Sequence, residues 1–297
     1  MQDQCETIAP EADGQVYLVA ERQACTVGRI RSVCLAAVKA IRQTLILLLL
    51  LVAGCATRPH DTLFQYSTIN ALLAGAYDGD MTYGQLRRHG DFGLGTFNTL
   101  DGEMVALDGR YYQVPADGNV LTVRDSMRTP FAVVTFFRAR RSFSLADAPD
   151  FHSLERWLDE KLSSPNAFFA IRIEGEFAYV KARSVPAQQP PYPPLAEVVR
   201  NQSVFEWRGV KGTLVGFRTP AFMRDLNVPG YHFHFLSADR QSGGHVLDVA
   251  VRRATVEIDQ PRRFLVDMPG TAEFHKIDLT HDRGRELQSV EKALPNR

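Results

Sequence analysis

Beyond residue 62 the spacing of apolar positions changes several times, and each change marks an element. Phe64–Ala76 places Ile69, Leu72, Leu73 and Ala76 at helical spacing behind Ser67 or Thr68, which predicts a capped helix. A short polar helix is expected around Thr82–His89. From Gly90 the period falls to two. Asp101-Gly102, Asp108-Gly109 and Asp117-Gly118 punctuate alternating apolar runs, a strong hairpin signal, and predict a meander from Thr96 to Val123. Phe131–Phe137 reads as a buried strand. Phe151–Leu162 carries Leu154, Trp157, Leu158 and Leu162 on one helical stripe. Ala167–Ile173 and Glu176–Val185 are expected to pair about Glu174-Gly175. A short helix is expected over Leu195–Asn201, then strands over Gly209–Thr219, Gly230–Leu236, His245–Ile258 and Arg263–Met268. Thr280–Leu294 is charged and helical in pattern. Hairpin signals outnumber strand–helix–strand signals. The fold class is therefore mixed α/β of the α+β kind, with mixed or antiparallel sheets and flanking helices.

Ala187–Pro194, A-Q-Q-P-P-Y-P-P, is the one proline-rich stretch. It is the expected linker between subdomains of about 63–186 and 195–297.

The first 55 residues read differently. Lys39 and Arg42 precede nine aliphatic residues, Leu45 to Ala53, and then Gly54-Cys55. A basic region, a short apolar run and small residues make an export signal over 33–55. The run is well short of the roughly 20 residues that span a bilayer. L-V-A-G-C resembles the bacterial lipobox, so Cys55 is the expected lipidation site, with an ordinary cleaved signal or an uncleaved anchor as the alternatives. Residues 1–32 then read as an extension from a start codon assigned too early, with translation beginning near Val33 or Val38. The folded body would be 56–297.

Charge and cysteine usage narrow the chemistry. Lysine plus arginine and aspartate plus glutamate each total 34. That balance gives no sign of a nucleic-acid surface. The four cysteines, Cys5, Cys25, Cys34 and Cys55, all precede the body, which excludes disulfides and thiolate metal sites within it.

Histidines remain as metal donors. Y-H-F-H-F-L-S-A-D-R-Q-S-G-G-H-V-L-D, Tyr231–Asp248, holds three of the chain's eight histidines. On a strand, His232 and His234 share one face, while Tyr231, Phe233 and Phe235 take the other and would pack on a core. A polar loop with two glycines returns the chain to His245. Cross-strand neighbours have Cβ atoms about 5 Å apart, so the three imidazoles can converge. Three nitrogen ligands and an open position suit catalytic Zn²⁺. Cobalt or iron could also occupy such a site. Surface histidines are the bland alternative.

Two further residues gain meaning only with company. Glu103 shares a strand face with Val105 and Leu107, which places it at a solvated sheet edge or in a pocket; read alone, it points to solvent. Arg183, in K-A-R-S-V, reads alone as a surface arginine. Gly93-x-Gly95 lacks the strand–glycine–helix unit of a dinucleotide site and reads as turn glycines.

Four stretches together resemble a known family. Y-D-G-D-M-T, G-D-F-G-L-G-T-F-N-x-L-D-G-E-M, F-F-A-I-R-I-E-G and P-G-Y-H-F-H-F-L-S-A-D-R-Q-S-G-G-H-V-L-D resemble the acetolactate decarboxylases, from about Tyr66 to Glu291. The resemblance implies zinc held by His232, His234 and His245, and a substrate-binding arginine at Arg183. It implies catalytic glutamates at Glu103 and Glu291, and a pocket threonine at Thr96. The implied reaction is decarboxylation of 2-acetolactate to acetoin through an enediolate whose charge the zinc stabilises. The implied partner is a small-molecule substrate; the lipobox-like end adds a membrane reached through a lipid anchor alone, the charge balance points to no nucleic acid, and a homodimer is allowed. Other readings of the histidines are a three-histidine hydratase, a cupin-like enzyme, or a non-enzymatic envelope lipoprotein that binds a small ligand.

Overall fold

The computed structural model describes residues 60–291, with Lys39 and Gln43 besides. The apolar run of the expected export signal and Cys55 lie outside the described residues. Among the described residues no helix is long and apolar enough to cross a membrane.

The first half of the chain builds β1 (Thr62–Tyr66), α1 (Ile69–Leu73), β2 (Met81–Thr82), α2 (Tyr83–Leu86), β3 (Phe92–Thr96), β4 (Glu103–Leu107) and β5 (Arg110–Val114). It continues with β6 (Leu121–Thr122), β7 (Arg128–Thr129), β8 (Ala132–Thr135), β9 (Arg141–Leu145) and α3 (Phe151–Lys161). The second half builds β10 (Phe169–Ser184), α4 (Leu195–Val198), β11 (Ser203–Thr219), β12 (Gly230–Ser237) and β13 (Gly243–Asp259). β14 (Arg263–Asp267), α5 (Ala272–Lys276) and α6 (Gly284–Glu291) follow.

Seven strands form a mixed sheet in the order β14-β1-β8-β3-β4-β5-β6, with β1 parallel to β14 and the other pairs antiparallel. The tight β4–β5 turn is made by Asp108 and Gly109, both at positive φ, as the Asp-Gly signal requires. A second sheet runs β10-β11-β12-β13-β9, and β10 also pairs with β13. The pairings of β10, β11, β12 and β13 therefore close into a ring, a small antiparallel barrel with β9 added to its wall.

Strand alternation divides the apolar residues among three cores. Phe177, Phe233, Phe235, Leu214 and Val249 fill the barrel against Leu154 and Leu158 of α3. Met104, Ala106 and Val134 face outward from the large sheet with Tyr83 and Tyr111. Leu94, Val105 and Val133, on its other face, pack against the barrel's Val215, Phe217 and Leu236 and against helix residues Leu72, Leu195 and Leu287. The site forms in this shared core.

Three expectations need correction. Phe64–Tyr66 is strand rather than helix, because Phe64, Gln65 and Tyr66 pair with both β8 and β14; the helix begins at Ile69, capped by Thr68. Glu174-Gly175 is no turn. β10 runs straight through, with Gly175 opposite Gly212 on one side and Ala254 on the other. The proline stretch does not divide the sheets: β10 before it shares a sheet with β11, β12 and β13 after it, and β14 returns to pair with β1.

Candidate active site

The site starts from register. His234 stands opposite His245 across β12 and β13, and His245 stands opposite Arg183 across β13 and β10. His232 lies two residues before His234, on the same strand face. Three imidazoles and a guanidinium thus face one point from three adjacent strands of the barrel. From the large sheet, Thr96 and Glu103 are paired across β3 and β4 and face that point from the other side. Glu291 reaches it from α6, whose Leu287 and Val290 are anchored in the shared core.

One metal-ligand atom from each of His232, His234 and His245 lies within 4.8 Å of the others. His232 Nε2 and His245 Nδ1 stand 3.1 Å apart. His234 donates its Nδ1–H to the Met104 carbonyl at 2.8 Å, which leaves Nε2 with a lone pair facing the site. Burial is the main reason these imidazoles resist protonation. It pushes His232 down to about 3, helped by the Arg183 charge, and holds His234 and His245 well below the ordinary range. Neutral, converging imidazoles are the form a divalent metal requires, so these residues fit such an ion.

The carboxylates surround this trio. Glu103 Oε2 lies 3.6 Å from His234 Nε2, and its Oε1 lies 4.0 Å from Arg183 Nε. Glu291 Oε2 lies 3.7 Å from His232 Nε2 and 3.8 Å from His245 Nε2. Both acids are pushed up to about 7, by burial first and against the opposing pull of Arg183; Glu103 is raised further by Glu291. Thr96 donates its hydroxyl to the Gly102 carbonyl at 2.6 Å, bracing the turn that delivers Glu103. Glu103 is 7 % exposed and Arg183 4 %, so the solvent-facing readings of these two residues taken alone are overturned. Each belongs to the strand face that meets the opposite sheet.

These groups line a cavity of about 40 Å³. Its remaining wall is apolar: Ile69 and Leu72 of α1, Leu100, Phe131, Val185 and Leu195 of α4. A larger surface groove, about 910 Å³, shares none of these residues. In it Glu176 pairs with Lys211 at 3.4 Å and with Arg253 at 3.5 Å. The small cavity is the site because the convergent donors are there.

The comparisons agree. The sequence matches the family described as Alpha-acetolactate decarboxylase across residues 63–281. It is 47 % identical to the alpha-acetolactate decarboxylase of Methanosarcina mazei, over 82 % of this chain and 84 % of that protein. The chain belongs to the alpha-acetolactate decarboxylase family. The family enzyme of Brevibacillus brevis is 44 % identical over 78 % of this chain and 82 % of that protein. The crystal structure of alpha-acetolactate decarboxylase from Bacillus subtilis strain 168 matches with a TM-score of 0.77 at 38 % identity, covering 78 % of this chain and all of that one (100 %).

The structure gathers every site residue proposed for the body: Thr96, Glu103, Arg183, His232, His234, His245 and Glu291. Sequence reasoning missed the Met104 carbonyl that orients His234, the apolar wall, and Gln202, whose Oε1 accepts from Arg183 Nη1 at 3.1 Å. A backbone acceptor leaves no residue-type signal. Gln202 precedes a strand in a polar stretch and looks like any capping residue.

Proposed function

We propose that the protein decarboxylates 2-acetolactate to acetoin, with His232, His234 and His245 holding a divalent metal, zinc in our reading. The observation that carries this is the convergence of three neutral imidazoles, one buried arginine and two buried acids of raised pKa on one cavity in a chain of this family. The lipobox resemblance supports a second part of the reading: export, with a lipid anchor at Cys55.

2-Acetolactate carries a ketone beta to its carboxylate and a hydroxyl on the carbon between. Arg183 takes the carboxylate through its fork of N–H donors and fixes the bond to be broken. The metal, when bound, supplies a Lewis acid that stabilises negative charge on the ketone and hydroxyl oxygens. Breakage of the carbon–carboxylate bond releases CO₂ and leaves its electron pair in an enediolate. Glu103 then gives its proton to the carbon that lost CO₂, which yields acetoin. Its position between the histidines and Arg183 supports that role. Glu291, on the histidine side, relays protons to and from the substrate hydroxyl. The apolar wall keeps bulk water off the enediolate, so the proton arrives from one face.

The test is CO₂ release and acetoin formation from 2-acetolactate by purified protein, before and after chelation. His234→Ala and His245→Ala should lose both bound metal and turnover. Metal content and turnover equal to the unaltered protein in both variants would refute the site.

A further inference from the structure

A buried arginine meant to hold a substrate carboxylate must be oriented without being neutralised. Arg183 meets that condition in an unusual way. Its side chain is 5 % exposed, and its nearest carboxylate, Glu103, stands 4.0 Å from Nε, beyond hydrogen-bond distance. Among the described residues nothing accepts a hydrogen bond from Nε. The side-chain partner the guanidinium does have is a neutral amide: Nη1 donates to Gln202 Oε1 at 3.1 Å.

Gln202 is well placed for that role. It follows the 3₁₀ turn Val199–Asn201, and its own N–H donates to the Val199 carbonyl at 3.3 Å, so its backbone is fixed. The turn continues directly from α4, which packs on α1 and α6. Gln202 is not among the residues that line the cavity.

We propose that Gln202 is the positioning residue of Arg183: its amide oxygen sets the plane of the guanidinium while leaving the positive charge for the carboxylate of the substrate. A carboxylate at this position would orient Arg183 equally well but would compete with the substrate for its charge. An apolar residue would preserve the charge and release the plane. The inference rests on the reading that Arg183 takes the substrate carboxylate.

Two variants of nearly the same shape separate charge from orientation, Gln202→Glu and Gln202→Met. Both are purified with metal, and metal content and Tm are measured alongside the unaltered protein. Calorimetry then gives Kd for 2-hydroxyisobutyrate, a carboxylate probe, and for 2,3-butanediol, a neutral diol probe; turnover of 2-acetolactate gives KM and kcat. Gln202→Met should weaken the carboxylate probe and raise KM about tenfold, the loss of one charge-assisted hydrogen bond. Gln202→Glu should weaken them further, and the diol should bind all three proteins alike. Carboxylate binding unchanged in both variants overturns the proposal, as does weakening of both probes in step, which marks a merely structural role. If Gln202→Glu fails to fold, Gln202→Met decides alone. Binding of the carboxylate probe does not require turnover. A protein that binds it in a Gln202-dependent way yet releases no CO₂ sinks the decarboxylase reading and spares this one.

Discussion

Glu103 shows what a single residue can say before its surroundings are known. Alternation put it on the face of Val105 and Leu107, and that was correct. Whether the face met water or protein depended on the barrel, which β4 alone does not encode. Burial now raises its pKa from 4.5 to about 7. The folded-state value lies above the unfolded one, so between those pH values the folded chain keeps a proton that the unfolded chain releases. Stability from this group therefore falls as pH rises through that window, by up to a few kcal/mol. A bound dication would pull the pKa back down, so the comparison belongs to chelated protein. There, Glu103→Gln should gain Tm relative to the unaltered protein between pH 5 and pH 8 (about the titration window). A Tm difference that does not change with pH would show that the carboxylate titrates as if solvated. With metal restored, the same variant should keep the ion and lose roughly 10²- to 10⁴-fold in kcat, the usual worth of a placed acid. An unaltered kcat would clear Glu103 of the acid role.

At the scale of elements, local patterns were readable where the deciding neighbours lie close in sequence. The Asp108-Gly109 hairpin, α3 and the β12–β13 return needed only their own residues. β10 did not. A glycine inside an alternating run signals either a turn or a close approach of another backbone, and Gly175 has the second cause. Its partners on the two flanking strands, Gly212 and Ala254, are remote in the chain, so nothing local separates the two readings. A Cβ built on Gly175 would stand 2.2 Å from the Arg253 carbonyl oxygen and 2.6 Å from the Ala254 Cα. Both are backbone atoms of a paired strand and cannot swing away. Gly175→Ala should therefore destabilise the barrel by about 1–3 kcal/mol. For a domain of this size that is a loss of several degrees in Tm, read by thermal unfolding. A Tm within a degree of the original would mean that β10 and β13 do not approach as described. Because Gly175 is outside the cavity lining, KM of the folded variant should hold.

The whole molecule explains why the site was legible in parts and not as a site. His232, His234, His245 and Arg183 belong to the barrel, Thr96 and Glu103 to the large sheet, and Glu291 to the C-terminal helix. Periodicity assigns each to a face; only the packing of the two sheets brings those faces together, and the family resemblance supplied that knowledge in advance. All seven residues lie within 96–291, outside the expected export signal. The proposed anchor and the proposed catalysis can therefore be tested separately. Six residues, 56–61, stand between Cys55 and β1. In cells fed a labelled fatty acid, the unaltered protein should take up label and Cys55→Ser should not. Intact mass should place the lipid on a mature chain that starts at Cys55. Both proteins, extracted in the same detergent, should decarboxylate 2-acetolactate at the same kcat. A mature species that retains Met1, or label that survives Cys55→Ser, would overturn the anchor. Loss of turnover in folded Cys55→Ser would show that the leader contributes to the site after all.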